Sequence, residues 1–296
     1  MCHKVLFVLI SVAAAILAPF CVALADNQYP NPDVFVSSDV LSQGDTLLVV
    51  VKNEANEITG RFGSTKLYFF RNQSNKDWVA ITGISVNKIP GEYKLTINVS
   101  GKAAYEKNIT ITDRYFSETE LVVTQELLQQ GYTAKNIISN IINKENKLLN
   151  KTLSVFTPVS YVAKPFVYPV FIVKDVGSFG NIRKSKSSKI QHLGVDLNAP
   201  LNTPVYCAND GKVVFVKNMQ DYGNTVIVDH GLGVYSLYLH LNRFSVRTGQ
   251  MVRLGDNIGL SGNSGYSIEP HLHFGITIQG VAVDPLEFVW TTQGMK

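Results

Sequence analysis

Between residues 33 and 112 apolar and polar residues alternate in short runs. "DVFVS", "DTLLVVV", "KLYFF", "WVAITGI", "EYKLTINV" and "KNITIT" are rich in β-branched and aromatic side chains, the composition that suits a pleated, half-buried surface. In "YKLTINV" the alternation puts Tyr93, Leu95, Ile97 and Val99 on one face. Pro90-Gly91 breaks the chain between two such runs. Six or seven strands in this length predict a small β-sandwich of immunoglobulin-like size. Trp78 reads as a core residue of that sandwich.

The period then changes. In "TAKNIISNIINKENKLLNK", Ile137, Ile138, Ile141, Ile142, Leu148 and Leu149 recur at helical spacing, with Thr133 placed as N-cap after Gly131. The preceding "TELVV" offers one more short strand. "TPVSYVAKPFVYP", residues 157–169, holds three prolines and no period. It predicts an extended linker along a surface, too apolar for a free tether and therefore packed on a neighbour. From residue 170 strand signals return in "PVYCANDGKVVFVKN", "GNTVIVDHGLGVYSLYLHL", "GQMVRLGDNIGL" and "PHLHFGITIQ", separated by Gly and Asp-Gly turns. The expected fold is mainly β: a sandwich over 26–116, a helical segment and linker over 117–165, and an antiparallel sheet domain over 166–296.

Composition narrows the classes. Hydrophobic residues make up 45% of the 296 and charged residues 17%, enough to bury cores and exclude a disordered chain. The net charge of +4 is dispersed, with no basic stripe and interleaved aromatics, so nucleic acid is not an expected partner. Residues 1–25 have the layout of a signal peptide: a basic start, an apolar run and the small-x-small site Ala23–Ala25. Cleavage after Ala25 would leave a periplasmic or secreted chain with no stable membrane insertion. A retained anchor is the other reading of the same run. Cys2 and Cys21 leave with the leader, so Cys207 remains alone and no intrachain disulfide is expected. Its place in "PVYCANDG" reads as a small buried hydrophobe.

The chemistry gathers in the second half. Of six histidines, His271 and His273 stand one residue apart in "EPHLHFGI". On a strand, positions i and i+2 share a face, so two imidazoles point one way while Leu272 turns into a core. Two neutral imidazoles make half a zinc site. "HLGVDL" offers His192 and Asp196 as further ligands, on a bend entering a strand, and "YLHL" offers His240. His230, in "VDHG", reads as a turn residue.

"HLGVDLNAPLNTPVYCANDGKVVFV", "GNTVIVDHG", "YSLYLHL" and "SGNSGYSIEPHLHF" resemble the lysostaphin-type (LytM-type) zinc endopeptidases that cut peptidoglycan peptides, over roughly residues 170–290. "GSFGNIR" at 177–183 resembles the segment that opens that domain. The resemblance implies that His192, Asp196 and His273 bind zinc. It implies that His240 and His271 are the catalytic pair and that Asn224 lines the substrate groove. Two stretches depart from the family: Ser267-Ile268-Glu269-Pro270 before the histidine pair, and Gly275 after it. Neither touches the five implied positions; both bear on substrate preference.

Those roles make physical sense. A catalytic zinc keeps three protein ligands and an open position, and lowers the pKa of a bound water to about 7. A nearby histidine can move the proton, and a second can stabilise the oxyanion. No H-E-x-x-H supplies the glutamate base of helical zinc proteases. The resulting expectation is an exported zinc endopeptidase acting on peptidoglycan stem peptides or cross-links. The alternatives are a non-catalytic peptidoglycan-binding or activator protein on the same fold, and a structural zinc site. The region before the linker is expected to restrain, target or space the zinc groove.

Overall fold

The computed structural model describes residues 30–296 apart from positions 73, 103 and 187; the leader expected over 1–25 lies outside the described residues. The fold is mainly β, and most strand pairs are antiparallel; Val40–Ser42 with Tyr105–Thr112 and Glu118–Glu120 with Ile182–Ser185 are parallel. In the first half a four-stranded sheet runs Val34–Val36, Thr46–Val51, Trp78–Gly83, Phe69–Arg71. A five-stranded one runs Val40–Ser42, Tyr105–Thr112, Gly91–Val99, Ile58–Phe62, Thr65–Leu67. Leu95, Ile97 and Val99 face inward and meet Leu47, Val49 and Val51 of the other sheet, as the alternation in "YKLTINV" requires.

The strand Thr46–Val51 is buried at every position. Its run "TLLVVV" has no polar face because it has no solvent face. Leu47, Val49 and Val51 fill the sandwich core. Leu48 and Val50 turn the other way, into a core shared with Phe274, Ile276, Val283 and Phe288 of the second half. Burial on both faces yields a continuous apolar run. The sandwich and the C-terminal sheet therefore share one core.

The intervening arm starts with the strand Glu118–Glu120. It continues as α1 (Gln125–Gln129), α2 (Ala134–Asn140), a π-helical turn Ile141–Glu145 and α3 (Asn146–Leu153). Thr133 caps α2 in a reciprocal box with Asn136, as its position predicted. Ile137, Ile138, Ile141 and Leu149 are buried, but Ile142 is exposed. A π turn inserts an extra residue into the helical period, so the apolar stripe does not stay on one face. The segment 157–169 is extended and docked, and the linker packs as its composition required. Phe166 is fully buried between His230 and Phe288, and the Tyr161 and Val167 amides donate to the carbonyls of His230 and Ala208.

The main C-terminal sheet runs Asp175–Gly177, Val195–Leu197, Leu272–Ile278, Val234–Leu241, Gly223–Asp229, Gly211–Met219, Met251–Val252, with all neighbours antiparallel. Its inner face carries Leu272, Phe274, Ile276 and Tyr238. Helix α4 (Pro285–Thr292), capped by Asp284, closes that core. The outer face carries the histidines, with the arm lying over its far part through Leu149, Leu237 and Leu239. Cys207 is fully buried, as expected, and burial pushes its thiol up to about 12.

Candidate metal centre

Antiparallel pairing sets Asp196 directly opposite His273, and His271 lies on the same outer face two residues earlier. His192 precedes that strand, in the turn between Ser188–Gln191 and Val195–Leu197. Gly194 in this turn has no substitute. A β-carbon there would lie 2.4 Å from His273 Nε2 and 2.7 Å from the Phe274 carbonyl.

Three potential ligand atoms converge. His192 Nε2 lies 2.9 Å from Asp196 Oδ1 and 2.9 Å from His273 Nδ1, and His273 Nδ1 lies 3.0 Å from the same oxygen. The His192 tautomer follows from its other nitrogen, which donates to the Ser178 carbonyl at 3.0 Å. A carbonyl only accepts, so Nδ1 carries the proton and Nε2 presents a lone pair. Burial holds His273 down to about 4, with the neighbouring His192 contributing, so this imidazole is neutral near pH 7. Burial raises Asp196, but the surrounding imidazoles of His192, His271 and His273 outweigh it and keep the carboxyl well below its ordinary range. Two imidazole nitrogens and an ionised carboxylate oxygen face each other in a buried place. Such a cluster suits a cation, and the two-nitrogen, one-oxygen donor set fits zinc. Among the described residues, His192, Asp196 and His273 form a group able to hold a metal ion.

Two more imidazoles flank the three. The His240 ring centre is 4.9 Å from that of His271 and 6.1 Å from that of His273. His240 reaches the site by breaking its strand's period. Regular alternation would put it on the core face with Tyr238, but its φ of +60° turns it out, and Leu241 enters the core instead. His240 Nδ1 donates to the Ser264 carbonyl at 2.8 Å. Burial, then the nearby His271 and His273, bring its pKa down to about 3. His271 Nδ1 lies 2.7 Å from the Glu269 carbonyl and 3.1 Å from Ser267 Oγ. Its Nε2 is 3.5 Å from Asp196 Oδ1. Burial lowers its affinity for a proton, but Asp196 outweighs this and the pKa rises.

The site opens into a groove of about 990 Å³, floored by Leu237 and Leu239 and walled on one side by Ile142 and Leu149 of the arm. Asn224, which the resemblance places along the groove, is not among the described residues that line it. Its amide donates to the carbonyls of Leu241, at 2.9 Å, and Asn242, and its oxygen accepts from Asn218. The side chain is spent on bracing the kink at His240. His230 is fully buried and bonds Ser236 Oγ and the Asp210 carbonyl, so it stays outside the site. The carbonyls of Ser178, Ser264 and Glu269 that orient the imidazoles have no sequence signal, because a carbonyl belongs to every residue. Arg183, with Nη2 at 3.0 Å from Asp196 Oδ2, was also not foreseen.

An antiparallel sheet bearing a buried two-histidine, one-carboxylate donor set beside two further imidazoles is an arrangement able to hold a metal ion. Residues 190–285 match the sequence model of Peptidase family M23, and the chain carries a peptidase domain of the lysostaphin (LytM) type, as the sequence resemblance implied. It is 29% identical over 188 residues to a protein of Buchnera aphidicola subsp. Baizongia pistaciae described as an uncharacterized metalloprotease, covering 62% of this chain and 49% of that one. It is 42% identical over 96 residues to the peptidoglycan DD-endopeptidase ShyA of Vibrio cholerae, covering 32% and 22%. The chain thus spans about half the length of the first relative and about a fifth of the second. A solved Pseudomonas aeruginosa chain, described as a candidate peptidase M23, shares the fold with a TM-score of 0.52 at 22% identity. That likeness covers 82% of this chain and 92% of the other, a span larger than the peptidase domain alone.

Proposed function

We propose that this protein is an exported zinc endopeptidase that hydrolyses peptide bonds in peptidoglycan stem peptides or cross-links. The observation that carries the reading is the convergence of His192 Nε2, Asp196 Oδ1 and His273 Nδ1 beside two imidazoles left free of that cluster. The substrate class is supported by the name of the Vibrio cholerae relative. Export rests on the leader-like residues 1–25, with cleavage after Ala25. Among the described residues no helix is long and apolar enough to cross a membrane.

His192, Asp196 and His273 would hold the zinc, which supplies Lewis acidity and a water acidic enough to ionise near neutral pH. The remaining chemistry belongs to the chain. His240, fixed through Nδ1–H on Ser264 and neutral, keeps Nε2 free to take a proton from the attacking water and deliver it to the leaving amine. His271 is pinned through Nδ1 on Glu269. In its protonated form, which Asp196 favours, its Nε2–H serves as hydrogen-bond donor to the carbonyl oxygen as charge builds there. Leu237 and Leu239 exclude water from the floor of the groove.

The test is digestion of purified peptidoglycan by the mature chain, with zinc content measured on the same sample and new amino ends identified by mass spectrometry. Bound zinc with new amino ends is expected. A zinc-loaded chain that leaves every peptide bond intact would overturn the enzymatic reading.

A further inference from the structure

We propose that Arg183 is a positioning residue for the metal site, holding Asp196 so that one carboxylate oxygen serves the metal and the other is kept off it. The inference rests on the reading that His192, Asp196 and His273 hold zinc. The two oxygens of Asp196 are already divided. Oδ1 faces His192 Nε2 and His273 Nδ1 at 2.9 and 3.0 Å, while Oδ2 lies 3.0 Å from Arg183 Nη2. A carboxylate can bind a metal through one oxygen or both. A guanidinium on the second oxygen fixes the rotamer and favours the first mode. Gly177 closes the remaining side: a β-carbon there would lie 2.4 Å from Oδ2, so the group is boxed between backbone and guanidinium.

Arg183 is itself held by a part of the chain outside the matched segment 190–285. Its strand, Ile182–Ser185, pairs antiparallel with Ser188–Gln191 and parallel with Glu118–Glu120 of the arm, where Thr119 stands opposite Arg183. The Ile182 amide donates to the Ser117 carbonyl at 2.8 Å and the Leu121 amide to that of Lys184 at 2.7 Å. The Asn181 amide donates to Ser117 as well. The same loop offers the Ser178 carbonyl to His192. One braced segment therefore supports two of the three ligands from behind.

An ordinary Arg–Asp ion pair, partly exposed, would contribute a little stability and nothing else. A cation beside a metal ligand also repels the metal, so affinity alone does not distinguish the roles. Coordination and turnover do. The experiment uses the full mature chain with cobalt(II) in place of zinc, comparing wild type with Arg183→Met, Arg183→Gln and Arg183→Lys. Kinetics are measured on the zinc forms. Wild type should show the strong visible absorption of a four-coordinate cobalt site. In Arg183→Met the absorption should weaken toward that of a higher-coordinate ion as Asp196 offers both oxygens. kcat should fall about 10- to 100-fold with KM unchanged. Lysine, a point donor without the guanidinium fork, should restore part of both. If the Met variant does not fold, the Gln variant carries the same readouts. A wild-type spectrum with wild-type kcat in the neutral variants overturns the inference alone. So does a raised KM with an unchanged spectrum, which would make Arg183 a substrate contact. A wild-type chain that takes up no metal overturns the zinc reading and this inference with it.

Discussion

His240 and Ser264 are joined by a 2.8 Å hydrogen bond from imidazole Nδ1 to a backbone carbonyl, and the histidine makes it from a left-handed backbone, φ +60°. Few non-glycine residues adopt that conformation, and such strain gathers at functional sites. Its result here is to move one imidazole from the core side of a strand to the metal side. With Nδ1 occupied, only Nε2 is free for chemistry, while His240 stands outside the three-atom cluster. His240→Ala and His271→Ala should therefore retain zinc and lose about 100- to 10,000-fold in turnover. His273→Ala and Asp196→Ala should lose zinc and activity together. Metal analysis beside wall-lysis rates checks this. Zinc lost from His271→Ala but kept by His273→Ala would reverse the assignment.

Gly194→Ala is predicted to abolish metal binding while leaving the secondary structure in place. The added methyl would collide with His273 Nε2 and with the Phe274 carbonyl. The imidazole is the softer of the two, so it is the group that moves. Zinc content and circular dichroism of the same sample measure this. Normal zinc in Gly194→Ala would show that the turn yields instead of the ligand.

Four positions, His192, Asp196, His271 and His273, are legible in the sequence as one candidate cluster for a simple reason. Period two puts His271 and His273 on one face, and a bend lets His192 and Asp196 meet them. Other features were hidden because they depend on backbone geometry. The alternation in "YSLYLHL" assigns His240 to the core, and only the left-handed kink contradicts it. The resemblance places Asn224 along the substrate groove, and its amide is taken up by the carbonyls exposed at that same kink. The run "TLLVVV" announced a strand, not that its second face would pack on another sheet. Arg183 lies 13 residues before Asp196, but its strand is held by pairing with 118–120, where Thr119 stands opposite Arg183, and no local pattern encodes that pairing.

Removal of metal should be reversible. Treatment with a strong chelator is expected to abolish wall lysis, and stoichiometric zinc to restore it. Excess zinc should inhibit, because His240 and His271 are close enough, at 4.9 Å between ring centres, to capture a second ion. Activity titrated against zinc should rise and then fall. Full activity after metal removal would sink the proposed chemistry.

Glu287 predicts a pH dependence of stability. It lies on α4 against the strand Thr46–Val51, near Asp45. Burial, then Asp45, push its pKa from 4.5 up to about 7 against the opposing hydrogen bond from Thr291. Between those values the folded chain holds the proton more tightly than the unfolded chain. Glu287 therefore supports folding below about pH 4.5, and that support is lost as pH rises through about 7. The slope from this group reaches about 1.4 kcal/mol per pH unit at most. Glu287→Gln, permanently neutral, should be more stable than wild type at about pH 8 and closer to it at about pH 5. Urea midpoints at the two pH values decide. An equal difference at both would mean that Glu287 does not titrate in this window.

Glu145 tests what the arm does for the site. Its buried carboxylate, at the end of the π turn, accepts from the backbone amides of Asp221, at 3.1 Å, and Tyr222, at 3.0 Å. The Tyr222 carbonyl in turn accepts the backbone amide of His240 at 3.2 Å. The Tyr222 hydroxyl donates to Asn146 at 2.6 Å, and the Tyr132 hydroxyl to the Gln220 carbonyl at 2.7 Å. A short hydrogen-bonded path thus leads from the arm to the kinked histidine. Glu145→Ala leaves two buried amides without partners, at about 1–3 kcal/mol each. It also frees the turn that sets the His240 backbone. Lower stability is expected, with kcat reduced, KM little changed and zinc content intact. Glu145→Gln should fall between, because its amide oxygen can still accept one of the two bonds. Melting curves, metal analysis and rates taken below the transition separate these effects. A less stable but faster Glu145→Ala would mean that the arm restrains the groove, and unchanged kinetics would reduce it to a scaffold.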